Sequence, residues 1–381
     1  MWTFLLIFAT AFFVVLLATP ALIRVAILKR LFDEPKEERK IHTRLIPTIG
    51  GIIIFAATLF AFALWFPFDD LHVFKQLKRS VNDFQFIVAT ILILFFVGVK
   101  DDIIGTAPMK KLVAHILVGL ILVLMANIKI TSFHGLFGLR EMPAWGQVFL
   151  SLSTYIVVVN AFNLIDGVDG LAAGIGLICG VAFGIWFYMA GEPVMAALAF
   201  SLAGSLLGFL VFNFSPAKIF MGDSGSLSIG LIVCVLAIRL IEFQPSAADE
   251  TQIDFNVNGL SDMVANISKP IFVLAVLSYP LLDTLRIFIY RTIRGISPFS
   301  ADRNHIHHRL IDIGLNHAWT VIVLYAGNIS IIGTAILTRN MDPSYAFLIV
   351  GGVALTLAQI PFMIKKVKNR RSEAIPEISQ Q

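Results

Sequence analysis

Residues 2–23 read WTFLLIFATAFFVVLLATPALI, 22 consecutive uncharged residues. As a helix, this stretch is long enough to cross the roughly 30 Å hydrocarbon core of a bilayer. No basic n-region precedes it and no small-residue cleavage site follows at the right distance, so it reads as a retained membrane helix and not as a secretory signal. The pattern then recurs. Uncharged or nearly uncharged segments run at about 48–68, 84–99, 112–128, 142–165, 170–191, 193–213, 224–241, 270–288, 318–338 and 343–364. Lipid offers the backbone no hydrogen bonds, so segments this long must be helical, whereas barrel strands would show ten-residue alternation. The sequence predicts an all-α polytopic membrane helix bundle with about 11 transmembrane helices, residues 1–365 forming a single domain and 366–381 a basic cytoplasmic tail.

Composition excludes the soluble alternative. Of 381 residues, 57% are hydrophobic and 14% charged, against roughly 25% charged in an average soluble domain. Cys179 and Cys234 both sit in apolar runs, which suits packing better than a disulfide. Eleven spans put the two ends on opposite sides, and 21 of the 29 Lys and Arg then fall on one side and 8 on the other. Positive charge marks the cytoplasmic side, so the N-terminus is expected outside and the C-terminus in the cytoplasm. The net charge of +4 follows from this topology and implies no nucleic acid partner. There is no P-loop and no GxGxxG after a strand, so a nucleotide would have to be held by loops.

The polar residues capable of chemistry crowd onto the expected cytoplasmic side. Lys100-Asp101-Asp102 directly follows an apolar run. Two carboxylates at a helix C-terminus face the negative end of its dipole and need a cation, either Mg²⁺ or Lys100 and Lys110. Asn160, Asn163, Asp166 and Asp169 recur every third residue in NAFNLIDGVDG, a polar stripe that is hard to explain as packing. Hard oxygen ligands of this kind suit Mg²⁺ better than zinc. In FMGDSGS, residues 220–226, Asp223, Ser224 and Ser226 are N-cap candidates, while Asp223 could instead ligate a metal where free helix amides face phosphate. Ser224 lacks the His and Asp context of a hydrolase nucleophile. Asp302 to Arg309, DRNHIHHR, has neither HExxH spacing nor a cysteine partner for zinc; Arg303, Arg309 and the imidazoles instead form a donor cluster matched to a diphosphate. Carboxylates for a metal and cations for phosphates on one membrane face describe phosphoryl transfer.

Together, PTIGG (47–51), KDD (100–102), NAFNLIDGVDGL (160–171), FMGDSGS (220–226) and DRNHIHHRL (302–310) resemble the polyprenyl-phosphate N-acetylhexosamine-1-phosphate transferases, in the family's order and over nearly the whole chain. The resemblance implies transfer of a sugar 1-phosphate from a UDP-N-acetylhexosamine to undecaprenyl phosphate, with release of UMP. It places the enzyme in the bacterial cytoplasmic membrane, with Mg²⁺, or alternatively Mn²⁺, as cofactor and a homodimer left open. His305-Ile306-His307-His308 is similar to the branch that uses UDP-N-acetylglucosamine and departs from the three consecutive histidines of the muramyl-pentapeptide translocases. By resemblance, Asp101 and Asp102 are the catalytic pair, and Asp223 and Asn163 hold the metal. Asp166, Asp169 and Phe220 lie at the nucleotide, and Asn160 is a further substrate-binding residue. Arg303, His305, His307 and His308 hold the donor's sugar and diphosphate, and Lys111, His42 and Arg44 gather around phosphates. The rival class is a secondary transporter, whose sites lie near the bilayer midplane.

Overall fold

The computed structural model describes residues 1–29, 46–67, 74–244, 266–295 and 305–364, with side chains described from residue 84 onward in the 74–244 stretch. Among these the chain is helical, and its extended pairing is an isolated bridge between Ser132 and Glu141. Helices α1 (Trp2–Leu28), α2 (Gly50–Leu64) and α3 (Phe74–Ile104) precede α4 (Pro108–Leu120), which continues through a π-helical turn, Ile121–Met125. Next come α5 (Ala144–Ile165), α6 (Leu171–Met189), α7 (Pro193–Asn213) and α8 (Gly222–Ile241). The last group is α9 (Lys269–Val276), α10 (Ser278–Ile293), the short α11 (Ile306–Asp312), α12 (His317–Leu337) and α13 (Pro343–Met363). Among the described residues eight helices, α4 taken with its π turn, are long and apolar enough to cross a bilayer, or nine if the bent pair α9–α10 is counted as one span. This is a multi-pass membrane helix bundle. Each apolar segment read from the sequence coincides with a helix, though α2, at 15 residues, falls short of a full span.

Helix α8 is the axis. Every residue from Ser224 to Ile238 is buried, and α2, α3, α5, α6 and α7 pack around it. A helix apolar on nearly every side suits such a central position. Its first turn is made of small residues, which lets the neighbouring backbones approach closely. A Cβ added to Gly51 of α2 would lie 2.1 Å from the Gly225 nitrogen, and one added to Gly98 of α3 would lie 2.5 Å from Ser224 Cα. The main apolar core is continuous from Ile7 of α1 to Leu324 of α12, and a smaller cluster joins α9, α12 and α13.

The segment expected as one straight span at 270–288 is broken: α9 and α10 meet at 73°. Pro280 has no N–H to return to the Val276 carbonyl. Asn328 of α12, 1% exposed, takes up the freed groups. Its Nδ2 donates to the Val276 carbonyl (3.1 Å), and its Oδ1 accepts from Ser278 Oγ (2.9 Å) and the Tyr279 amide (3.2 Å).

Gly51→Ala should destabilise the protein by about 1–3 kcal/mol, because the added methyl meets backbone that cannot yield. Gly352→Ala, with nothing within 4 Å of the new methyl, should leave the thermal midpoint of detergent-purified protein unchanged or slightly raised, since alanine is the better helix former. Equal midpoints for the two variants would contradict the close packing of α2 on α8.

Candidate active site

The ends of α3, α4, α5 and α8 bring their polar residues together at one end of the bundle. Asp101 and Asp102 occupy the last turn of α3, and the structure gives them different partners. Asp102 turns to the start of α8, where its Oδ1 accepts the Asp223 amide (2.7 Å) and its Oδ2 the Ser224 amide (3.0 Å). Helix α8 has no side-chain cap of its own at Met221, so Asp102 caps it from another helix, at the positive end of the α8 dipole. Gly222 makes room, with φ of +71° and a Cβ position 2.7 Å from Asp102 Oδ1. Two expectations are thereby corrected. The α8 cap is not Asp223, Ser224 or Ser226, and the first α8 amides are already occupied by a carboxylate. Ser224 is 0% exposed, which closes the nucleophile reading.

Asp101 faces Lys111 of α4. Lys111 Nζ lies 3.3 Å from Asp101 Oδ2 and forms a close ion pair with Asp223 Oδ2. Asp223 Oδ1 accepts from Asn163 Nδ2 at 2.8 Å, and the same amide reaches Ser226 Oγ at 3.0 Å. Of the nearby lysines it is Lys111 that meets Asp101, while Lys100 and Lys110, the lysines expected there, are exposed. Asp166, at the end of α5, joins this cluster. Burial, followed by the negative charges of Asp223, Asp102 and Asp169, holds its carboxyl well above the usual carboxylate range. Carboxylates therefore outnumber the lysine that serves them.

The expected stripe of four divides. Asn163 and Asp166 stay with Asp223, whereas Asn160 donates back to the Ile156 carbonyl of its own helix at 2.7 Å. Asp169, 4% exposed, accepts the Ala217 amide at 3.1 Å. Next to it the Gly170 amide donates to Asn213 Oδ1 at 3.0 Å. Both bonds tie the turn after α5 to the end of α7 and the loop that follows it. Phe220 is partly buried. Its amide donates to the Pro47 carbonyl (2.8 Å) and its carbonyl accepts from Gly50 (2.9 Å), while Gly51 donates to the Met221 carbonyl (2.7 Å). The PTIGG motif thus seats the segment that leads into α8.

The histidines of α11 close the site from the other side. A Cβ on Gly167 would lie 3.5 Å from His307 Nε2, so this loop abuts the turn that carries Asp166. His305 and His307 are 5% and 1% exposed, and Asp283 of α10 is 0% exposed. Asp283 Oδ2 lies 2.6 Å from His305 Nδ1, and its Oδ1 accepts the Ile306 amide at 2.7 Å. Tyr279 Oη and His307 Nδ1 are 3.3 Å apart. The ligand atoms of Asp283, His305 and His307 fall within 4.8 Å of one another, as a metal site would require. Two ligands on tetrahedral zinc, each at about 2.0–2.1 Å, stand roughly 3.3 Å apart, so the 2.6 Å contact is a hydrogen bond. Burial pushes His307 down to about 3, which leaves a neutral imidazole at physiological pH, a hydrogen-bonding group and not a cation. Arg309, also expected at the diphosphate, turns to the end of α13. Its Nε donates to the Pro361 carbonyl (3.1 Å) and its Nη2 to the Ile364 carbonyl (2.7 Å). His42, Arg44, Arg303 and the 366–381 tail lie outside the described residues.

Reading the sequence alone passes over Asp283, Tyr279 and Asn328. The signal was an aspartate inside an apolar run, since a charge at mid-bilayer costs roughly 2.5–3.5 kcal/mol on insertion scales and persists only with a partner.

Residues 84–241, from α3 through α8, match the glycosyl transferase family 4 profile. The chain is 33% identical over 341 residues to the decaprenyl-phosphate N-acetylglucosaminephosphotransferase of Mycolicibacterium smegmatis, an alignment spanning 86% of this chain and 80% of that protein. It is 28% identical over 367 residues to the undecaprenyl-phosphate alpha-N-acetylglucosaminyl 1-phosphate transferase of Yersinia pestis, spanning 92% and 91% of the two chains. A protein of that same name from Escherichia coli K12 is 27% identical over 359 residues, spanning 89% and 88%. The helix bundle is thus that of a membrane phosphotransferase. The chain belongs to the polyprenyl-phosphate N-acetylhexosamine-1-phosphate transferases of glycosyl transferase family 4.

The two carboxylates of KDD should differ in what they do for stability. Asp102→Ala removes a helix cap and should cost about 0.5–2 kcal/mol, seen as a lowered thermal midpoint. Asp101→Ala removes one of the two carboxylates that share the partly buried Lys111, which keeps Asp223 as its partner, and should shift the midpoint less. The reverse order would contradict the capping role.

Proposed function

We propose that this enzyme transfers N-acetylglucosamine 1-phosphate from UDP-N-acetylglucosamine to undecaprenyl phosphate, with release of UMP, at the cytoplasmic face of the bacterial inner membrane. In this reading the bundle makes eleven crossings, with its N-terminus outside. The observation that carries the proposal is the joining of Asp101, Lys111, Asn163 and Asp223, drawn from four helices, beside a histidine segment at the same end of the bundle. A secondary transporter would need such groups near the midplane.

The chemistry asks mainly for positioning and charge neutralisation. A phosphate oxygen of the lipid attacks the sugar-bearing phosphorus of the donor. The bond from that phosphorus to the bridging oxygen breaks, and UMP departs with that oxygen. By their chemistry the carboxylates of Asp223 and Asp166 suit a hard divalent cation, which would have to take the place of Lys111 Nζ or Asn163 Nδ2 at the Asp223 oxygens. Asp223 and Asn163, with Asp166, would hold Mg²⁺, or Mn²⁺ in its place, and the bound ion supplies charge neutralisation to the donor diphosphate. Lys111 keeps Asp101 and Asp223 together and offers an ammonium to a phosphate that enters beside them. A carboxylate paired with an ammonium is a poor proton acceptor, so Asp101 shapes the field and does not act as the base. Phe220 offers a ring to the uracil, and His308 lies at the sugar and diphosphate.

The test is UMP release by purified protein supplied with undecaprenyl phosphate, Mg²⁺ and UDP-N-acetylglucosamine. Asp223→Ala should lower turnover by roughly 100-fold or more, the scale of losing one charge-stabilising group, while the protein still inserts and folds. Chelation should abolish turnover, and Mg²⁺ should restore it. Near-normal release by Asp223→Ala, or turnover in excess chelator, would sink the assignment. In the same assay His308→Ala should raise the KM for the UDP-sugar or lower kcat, with the KM for lipid phosphate unchanged. An effect confined to the lipid would remove the histidine segment from the donor site.

A further inference from the structure

We infer that Asp283 is a positioning residue for the transfer reaction: its buried carboxylate fixes the tautomer of His305 and caps α11, and so aims the histidine segment at the donor. The inference rests on the reading above that this segment contacts the UDP-sugar. Asp283 is 0% exposed and belongs to α10, half of a bent pair apolar enough to count as a membrane span. A carboxylate there is retained only if its oxygens are satisfied. Both are, and both by the histidine segment, with Oδ2 at 2.6 Å from His305 Nδ1 and Oδ1 at 2.7 Å from the Ile306 amide.

Each contact has its own consequence. A carboxylate partner requires a proton on His305 Nδ1, which leaves Nε2 as the nitrogen that differs between the neutral and charged ring. The bond to Ile306 satisfies the first amide of α11, whose N-cap residue His305 supplies no side-chain cap. The three rings then follow from one another. His305 and His307 are parallel to within 11° at 5.1 Å, and His307 and His308 lie 4.4 Å apart. Tyr279, one turn before Asp283 on α10, stands 3.3 Å from His307 Nδ1. The whole arrangement starts from the 73° break, since a straight α9–α10 would carry Tyr279 and Asp283 elsewhere. Asn328 stabilises that break from α12.

Asp283→Asn separates the two contacts. Asparagine Oδ1 can still accept from the Ile306 amide, but the group it offers His305 becomes a donor, so the imidazole must present a bare Nδ1 and carry its proton on Nε2. The experiment compares Asp283→Asn, His305→Ala and the double variant by thermal midpoint and by kcat and KM for the UDP-sugar and for lipid phosphate. Asp283→Asn should keep a near-parental midpoint and lose ten-fold or more in kcat/KM for the donor, with lipid KM unchanged. The double variant should be no worse than His305→Ala alone, because residues acting as a unit are not additive. Parental donor kinetics in Asp283→Asn, or losses that multiply in the double variant, would overturn the inference while leaving the donor reading intact. Parental donor kinetics in His305→Ala would instead overturn the donor reading, and the inference with it. Should Asp283→Asn fail to fold, ¹⁵N-histidine spectra of the parent enzyme decide the matter. A protonated Nδ1 on His305 is expected, and a bare Nδ1 refutes the positioning role.

Discussion

The grip of the Asp102 carboxylate on the Asp223 and Ser224 amides is the contact on which the rest of the site depends. A buried helix start leaves amides that neither lipid nor water can satisfy, and each costs free energy unless partnered. Helix α8 lies at the centre of the bundle with its first turn pressed against Gly51 and Gly98, so water has little access there. Asp102 meets this need from α3. In doing so it fixes the first turn of α8, and with it the direction of Asp223, relative to Lys111 and Asn163. The same contact relieves α3, because a carboxylate disfavoured at one helix C-terminus finds the favourable end of another.

A second buried acid repeats the device. Asp283 does for α11 what Asp102 does for α8, accepting a first-turn amide from a neighbouring element. The site is thus assembled from short loops whose helix starts are held in trans, which leaves Asp101, Asp166, Asp223 and Lys111 as the groups not spent on backbone. The surplus of acid over base among them is tolerable beside a cation and costly without one. Asp166, pushed above the ordinary carboxylate range by burial and its acidic neighbours, registers that surplus.

The sequence made the helices legible because lipid forces a simple rule: long apolar runs must be helical. It also marked Asp101, Asn163, Asp166 and Asp223, since hard ligands on one membrane face have few bland explanations. Lys111 entered only through the family resemblance, the residues themselves having offered Lys100 and Lys110. It could not separate a residue that binds substrate from one that binds backbone. Asp102, Asp169 and Asn160 have the same chemistry as their neighbours, and only the fold shows that amides and carbonyls take up their side chains. The break at Leu277 was written in Pro280 but masked by the apolar run around it. Asp283 went unnoticed within that run because its partners lie more than twenty residues ahead. Arg309 was misread for a related reason, since the carbonyls it serves belong to the end of α13.

The most direct test of the account is an experimental structure of the enzyme in a lipid nanodisc with Mg²⁺ and UDP-N-acetylglucosamine. The diphosphate should lie against Lys111 and His308, with a cation between it and Asp223, while Asp102 still holds the Asp223 and Ser224 amides. A cation ligated by Asp102 with those amides released, or a nucleotide bound away from the α8 start, would contradict it.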